Sequence, residues 1–398
     1  MQLRYSFRVY PTPGQQQALA KAFGCARVVF NDGLRARQAA REASLPYIKD
    51  TDLQKQVITA AKRTEERSWL SEVSSVVLVQ ALADLHVAYR NFFASACGRR
   101  KGRPVAPPRY RSRKDNQQAV RLTRNGFTIR PNGRLYVAKV GDLEVRWSRD
   151  LPSEPSSVTI VKDTAGRYHA SFVVQTTDEA LPAVEPEVGI DLGLASFAVC
   201  SDGTVIDNPR VLRRAERRLK KAQQALSRKA KGSRNRAKAR ARVAKLHARV
   251  ADTRRDFAHQ LSTTIIRDNQ AVYVEDLCVS GLARTRLAKS VHDAGWSAFV
   301  GMLEYKAKKH GRYFARIGRF EPTSQTCSAC GVKDGPKPLH VRTWTCPACQ
   351  TVHDRDLNAA RNILAAGRAD RLNACGAQIR PGLVPAPRNE AGTRRSTA

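Results

Sequence analysis

Two Cys-x-x-Cys pairs constrain this chain more than any other feature. Cys327 and Cys330 form one pair and Cys346 and Cys349 the other, with fifteen residues between them. One tight turn presents both thiolates of a pair, and two such turns complete a tetrahedral set of sulfur ligands for a Zn²⁺ ion. Four protein ligands leave no open position, so the zinc is expected to be structural. A segment as short as 321–350 depends on such an ion for its fold, with a contribution on the order of 10 kcal/mol. The alternative, a redox pair of dithiols, lacks a supporting strand–helix setting here. The remaining cysteines, Cys25, Cys97, Cys200, Cys278 and Cys375, are scattered and read as small buried hydrophobes.

The chain has 398 residues, enough for two or three domains with real cores, and is 42% hydrophobic, a globular composition. Its 70 Lys and Arg stand against 35 Asp and Glu, a formal net charge of +35. A chain so one-sided needs a polyanion, and nucleic acid is the simplest, because each neutralised phosphate releases counterions. A membrane surface is the rival, but no segment reads as a basic amphipathic anchor and none reaches the ~18 apolar residues of a span. The opening MQLRYSFRVYPTPGQ is interrupted by charges and is no signal peptide, which predicts an intracellular chain. Nine cysteines in a reducing compartment argue against a disulfide framework.

Residues 2–10 alternate through Leu3, Tyr5, Phe7 and Val9, predicting a strand closed by Pro11 and Pro13. From Gly14 to about Ala96 the pattern is helical, and Leu78, Leu82, Leu85, Tyr89, Phe92 and Phe93 form a core stripe. Residues 97–114 are a Pro- and Arg-rich linker. Alternation returns over 119–177 with Asn-Gly and Ala-Gly turns, and these strands with the first one are expected to close a small β-barrel. An acidic, Pro-containing connection (178–187) leads to the strand VGIDLG and a hairpin turning at Asp202-Gly203. Residues 209–260 predict two basic helices joined near Gly232-Ser233, with Leu219, Ala222, Leu226, Val243, Leu246 and Val250 on the apolar side. The one sign of charge favours nucleic-acid contact over a merely solvated face. Strand 271–277, helix 292–309, strand 312–320, the cysteine segment and helix 356–368 follow, and the last thirty residues read as a mobile basic tail.

Three carboxylates sit where apolar residues are expected. Asp191 lies within Ile190-Asp191-Leu192-Gly193, Glu275 within Val272-Tyr273-Val274-Glu275, and Asp356 opens an apolar helix. An ionised side chain within a buried strand costs several kcal/mol unless something positive pairs with it. Singly, each has an ordinary reading: a turn, a strand end, a helix N-cap. Together, on adjoining elements, they suit Mg²⁺ or Mn²⁺, which take carboxylates, water and phosphate oxygens. Two such ions about 4 Å apart activate water and stabilise the leaving 3′ oxygen in phosphodiester hydrolysis, with Asp191 bridging and Glu275 and Asp356 holding one ion each. Neighbouring Asp276 and Asp354 are supporting or solvated groups. No covalent-nucleophile pair or Walker-type phosphate loop is visible.

GIDLGLASFAV, YVEDL, Gly331 after the first Cys-x-x-Cys and HDRDLNAARNIL, in that order, resemble TnpB, a family of insertion-sequence proteins related to type V CRISPR effectors. YSFRVYPTPGQQQAL, FGCARVVFNDGL and AGWSAFVGMLEYKAKKHG extend the resemblance over about residues 1–368. It implies a multidomain α+β fold. An RNase H-like (RuvC) nuclease domain (187–320 and 351–368) would carry an inserted zinc ribbon (321–350). A split β-barrel wedge domain (1–10 and 104–180) would carry an inserted helical recognition domain (11–103), and a tail (369–398) would follow.

The implied activity is double-strand DNA cleavage directed by a noncoding guide RNA from the end of the same element, at targets beside a short transposon-adjacent motif. The family's Asp-Glu-Asp falls on Asp191, Glu275 and Asp356, the last chosen over Asp354 because it stands two places before Asn358. Arg361 and Asn362 match the pattern after it. Tyr47, Ser74, Ser75 and Gln80 lie where the family reads the adjacent motif, although both serines serve equally well as helix starters. The implied chain is a monomer in the cytoplasm of a prokaryote, at the nucleoid. Two other readings stand beside this one: a transposase acting directly on transposon ends, and an RNA-guided repressor that does not cut.

Overall fold

The computed structural model describes residues 1–113, 118–338 and 340–374. Cys375 and most of the predicted tail lie outside the described residues. The chain divides into two compact units, Met1–Thr176 and Thr177–Ala398.

In the first unit β1 (Gln2–Val9) leads into α1 (Pro13–Glu42). Thr12 and Gln15 form a reciprocal capping box with Pro13 at the first helical position, so the start of α1 is written in three residues. A short α2 (Asp50–Gln54), π and 3₁₀ turns over 55–72, and α3 (Ser75–Ala96) complete the helical part. The strands are β2 (Gln118–Thr123), β3 (Phe127–Ile129), β4 (Leu135–Val137), β5 (Gly141–Leu143), β6 (Val145–Arg146), β7 (Ser157–Lys162) and β8 (Tyr168–Gln175). They form one sheet in the order β2-β7-β8-β1-β6 and a second in the order β3-β4-β5. The expected barrel is thus two hydrogen-bonded sheets sharing a core. Two of the turn signals act as read: Asn132-Gly133 joins β3 to β4, and Ala165-Gly166 joins β7 to β8. Asn125-Gly126 instead forms a 3₁₀ turn, and β2 pairs with β7 rather than with β3. Helices and strands contribute to one buried cluster, with Leu34, Leu78 and Leu82 beside Phe7, Leu135 and Phe172.

The second unit is built on a five-stranded sheet. Its strands are β9 (Glu187–Leu192), β10 (Ser196–Cys200), β11 (Val205–Asp207), β12 (Ala271–Glu275) and β13 (Tyr313–Ile317), in the order β11-β10-β9-β12-β13. β9 is antiparallel to β10 but parallel to β12, and β12 is parallel to β13. Between β11 and β12 run α4 (Val211–Ser227) and α5 (Arg234–Asp268), the two basic helices. Leu219, Ala222 and Val250 are buried and Leu226, Val243 and Leu246 half-buried, while Arg217, Arg218, Lys220, Lys221, Arg240, Arg242 and Lys245 are exposed. The expected single helix over 292–309 is broken at Gly295 into α7 (Ala288–Ala294) and α8 (Trp296–Lys309), after a short α6 (Val279–Leu282). The cysteine segment holds β14 (Thr343–Thr345) and β15 (Val352–Asp354), and α9 (Arg355–Ala374) ends the described chain.

Both faces of this sheet are covered, which is why β9 and β12 read as near-continuous apolar runs. Val188, Ile190, Val272 and Val274 face the core shared with Ile266 of α5 and Phe299 and Leu303 of α8. The alternate residues face α9, where Tyr273 packs with Ile363. No single helix among the described residues is long and apolar enough to cross a membrane.

Candidate nuclease and zinc sites

Strand register places the first two carboxylates. Ile190 pairs with Val274, so Asp191 and Glu275 come next on neighbouring parallel strands, about 4.8 Å apart and on the same face. That face is the one α9 covers. A Cβ on Gly189 would come within 2.3 Å of the Ala360 carbonyl oxygen and 2.5 Å of the Leu364 nitrogen. A Cβ on Gly367 would lie 2.1 Å from the Tyr273 ring. Gly189 and Tyr273 are themselves register partners. Two glycines therefore let helix and sheet approach more closely than any side chain permits. Asp356 lies one turn N-terminal to Ala360, about 6 Å along the helix. Asp191 lies two residues beyond Gly189, about 6.6 Å along the strand. The two steps bring the start of α9 to the strand ends.

The electrostatics agree with that placement. The Asp191 carboxyl is pushed up to about 8, first by burial and then by the charges of Glu275 and Asp356, with Arg355 and Arg342 pulling the other way. Thr323 donates its hydroxyl to Glu275 Oε1 at 2.7 Å. Arg342, from the cysteine segment, reaches both Asp356 oxygens at 3.3 Å. Among the described residues these three carboxylates do not form a group with all ligand atoms within 4.8 Å, as the four cysteines do. Asp276 pairs with Arg319 at 2.5 Å. Asp354 caps α9 by accepting the N–H groups of Asp356 and Leu357. A buried carboxyl whose ionisation is opposed by neighbouring hard oxygen donors is what a divalent cation relieves, so these residues fit Mg²⁺ or Mn²⁺.

The zinc set is tighter. Cys327 and Cys349 sulfurs lie 3.6 Å apart, as do those of Cys330 and Cys346. A disulfide would need about 2.05 Å, whereas a tetrahedral ion with ~2.3 Å bonds spaces its sulfurs near 3.8 Å. Both knuckles have the same build. Cys327 and Cys346 donate their N–H groups to Val332 and Thr351, and Gly331 and Gln350 donate back to the two cysteine carbonyls. Gly331 and Gln350 are both left-handed, at φ 76° and 58°. The donor set and spacing fit a structural zinc ion.

The remaining candidates are more dispersed. Tyr47 is exposed and packs edge-on against Tyr89 and Phe93, with the Arg37 guanidinium 4.4 Å from its ring. Ser74 and Ser75 start α3, and Ser75 accepts a hydrogen bond from Lys62. Tyr89 is fourteen residues beyond Ser75, about 21 Å along the helix, so α3 separates Tyr47 from the serines, with half-buried Gln80 between. Arg361 is exposed on α9. Asn362 donates to the carbonyls of Thr323 and Thr326 at 2.7 and 2.6 Å, so its amide is occupied within the protein.

Sequence reasoning missed Asn358, which is 1% exposed, accepts the Ser328 N–H and donates to Thr326. The available signal was two asparagines four apart on an otherwise apolar helix. Arg342 was missed too, because nothing local marks it among the many arginines.

A family described as "Probable transposase" (OrfB of IS605) matches residues 171–286. A family described as the Cas12f1-like TNB domain matches residues 296–363. A helix-turn-helix family of the same OrfB group matches residues 1–45, which here form β1 and the single long helix α1. The chain is 46% identical to a candidate RNA-guided DNA endonuclease of Streptomyces pristinaespiralis, over 95% of this chain and 92% of that one. It is 30% identical to another, InsQ of Escherichia coli K12, over 95% of each. A Cas12f1 chain solved with single guide RNA and target DNA aligns at a TM-score of 0.47 and 13% identity, covering 91% of this chain and 98% of that one.

Proposed function

Because the chain belongs to the IS605 OrfB/TnpB family, Cas12f-like and with the TNB zinc domain, we propose that it is an RNA-guided DNA endonuclease. Asp191, Glu275 and Asp356 are its proposed catalytic residues, making double-strand breaks beside a short transposon-adjacent motif. One observation carries this reading: burial first, and then the charges of Glu275 on β12 and Asp356 on α9, push the Asp191 carboxyl on β9 up to about 8. Such a perturbation is common where a site is built for cations or proton transfer. The sheet order, with parallel β9-β12-β13 beside an antiparallel hairpin, supports an RNase H-like domain over 187–320 and 351–368.

Asp191, Glu275 and Asp356 would hold Mg²⁺ or Mn²⁺, which when bound supplies charge neutralisation and an activated water for phosphodiester hydrolysis. A set looser than a one-ion cage suits two ions sharing it. The protein's own residues do the rest. Thr323 fixes the Glu275 carboxylate by its hydrogen bond. Asp354, with the close approach of Gly189 to Ala360 and of Gly367 to Tyr273, sets the start of α9. Arg342 offsets the Asp356 charge until substrate arrives. Cys327, Cys330, Cys346 and Cys349 would hold zinc and thereby keep Arg342 and β15 in register with α9.

The exposed cations of α4 and α5 offer a surface for phosphates of the guide RNA and the heteroduplex. Their electrostatic contribution is independent of sequence, and base pairing supplies the specificity. The wedge reading of 1–10 and 104–180 and the recognition reading of 11–103 belong to the same proposal, as do the roles of Tyr47, Ser74, Ser75 and Gln80 at the adjacent motif.

The test is cleavage of a plasmid library carrying a fixed target beside randomised bases, by protein co-purified with RNA from its element's end. Cuts that follow a reprogrammed guide, require one flanking motif and vanish in Asp191→Ala support the proposal. Guide-independent cutting at transposon ends would favour the transposase named in the family description, and RNA-loaded protein that never cuts would favour a repressor.

A further inference from the structure

A buried histidine stands beside the zinc cysteines and belongs neither to that set nor to the carboxylates. His353 is 4% exposed, at the middle of β15. Its Nε2 lies 3.0 Å from Cys327 Sγ. Its ring packs on Trp344, the residue paired with it across the β14–β15 ladder, with centroids 4.8 Å apart. Cys327 is itself 1% exposed. Four thiolates around one Zn²⁺ leave a net charge of about −2, and on this side of the site Cys327 and Cys346 are buried. A hydrogen bond donated to one sulfur spreads that charge and holds the ligand in place. The four sulfurs already complete the tetrahedron, which leaves the imidazole outside it as a donor.

The same residue lies at the start of a short relay. Asp354 follows it and accepts the N–H groups of Asp356 and Leu357 at 3.0 and 2.9 Å. Trp344 and His353 hold β14 and β15 together, and the Arg355 N–H that follows donates to the Arg342 carbonyl.

We propose that His353 donates its Nε2–H to the Cys327 thiolate, making it the positioning residue through which the zinc site fixes the first turn of α9. The zinc part of this inference stands alone. The importance of the first turn of α9 rests on the proposed nuclease reading.

The test uses the full chain and reads zinc rather than cleavage. His353→Gln keeps an amide N–H within reach of the sulfur. His353→Phe keeps a ring against Trp344 without a donor, and His353→Leu is a second donorless variant in case the phenylalanine does not fit. Trp344→Phe leaves the histidine in place as a packing control. Zinc affinity is measured by chelator competition, the sulfur-to-cobalt charge-transfer band in cobalt-substituted protein, and the first turn of α9 by amide exchange at Asp356 and Leu357.

The donorless variants are expected to weaken zinc binding about 10- to 100-fold, shift the band and speed that exchange, while the glutamine variant stays near wild type. Donorless variants that hold zinc as wild type does, or a glutamine variant as weak as they are, would overturn the proposal. So would a wild-type cobalt spectrum of three thiolates and one imidazole, which would make His353 a ligand. Cleavage data do not enter, so a failure here is separable from a failure of the nuclease reading.

Discussion

The two metal-ligand clusters of the second unit solve opposite problems. The four cysteines present all their sulfurs within 4.8 Å of one another, on two knuckles with matching hydrogen bonds. The three carboxylates come from elements far apart in sequence, with the charges of Glu275 and Asp356 opposing ionisation of buried Asp191 and Asp356 paired to Arg342. Soft thiolates on short turns make a site that folds with its ion and closes completely around it. Hard carboxylates on a rigid sheet and helix make a site held open at an electrostatic cost. A structural ion calls for the first arrangement, and an ion that must meet a phosphate calls for the second.

The largest expected effect is on the cysteine side. Stripping zinc, or Cys346→Ser, should unfold the segment around 321–354, with a loss on the order of 10 kcal/mol in that local fold. Zinc stoichiometry and circular dichroism would follow it, and an unchanged spectrum after complete zinc removal would break the comparison. Next comes Asp191→Asn, which should lower guided cleavage by about 10³-fold or more while stabilising the metal-free chain. A thermal melt beside the cleavage assay shows whether the two effects diverge. Loss of both together would mean that Asp191 is chiefly structural.

Gly189→Ala is intermediate. Its methyl would meet backbone atoms of α9, which cannot rotate away, and should cost about 1–3 kcal/mol in denaturant unfolding together with cleavage. Near-normal stability and cleavage would show that the close approach does not position Asp356.

The same carboxyl carries a pH effect. The folded, metal-free chain holds the Asp191 proton up to about 8, against about 3.9 in an unfolded chain. Its contribution is therefore fully present below about 4 and lost as pH rises toward 8. Metal-free melting temperatures should fall across that window, and Asp191→Asn should flatten the fall. Smallest of all, Arg342→Ala removes a cation that lowers the Asp191 pKa, so that titration should move upward when followed by carboxyl NMR. A downward move would contradict the assigned electrostatics.

What could be read from the chain tracks how locally each feature is encoded. The zinc ligands were legible because their spacing alone specifies the turns. Asp191 and Glu275 were legible because a carboxylate inside an apolar strand is a local anomaly. The start of α1 was read one residue late, at Gly14, because Pro13 was taken as the end of the strand and the capping box of Thr12 and Gln15 went unread. The bond from Arg342 to Asp356 spans fourteen residues and depends on how β14, β15 and α9 meet, so no pattern announces it. Gly189 and Gly367 explain themselves only once helix and sheet are placed together. The break at Gly295 interrupts a segment whose apolar spacing runs on through it. Strand pairing was not legible, because Asn125-Gly126, a hairpin signal in isolation, closes a 3₁₀ turn beside Leu122 and Val76.

The most direct measurement is calorimetric titration of Mn²⁺ into zinc-loaded wild-type and Asp191→Asn chains, at pH about 6 and about 8, in buffers of differing ionisation heat. A carboxylate cation site should appear in wild type, release about one proton per chain at the lower pH and only about half a proton at the higher, and be lost in Asp191→Asn. Binding that is equal in the two proteins, or that releases no proton at either pH, would contradict the site assigned to Asp191, Glu275 and Asp356.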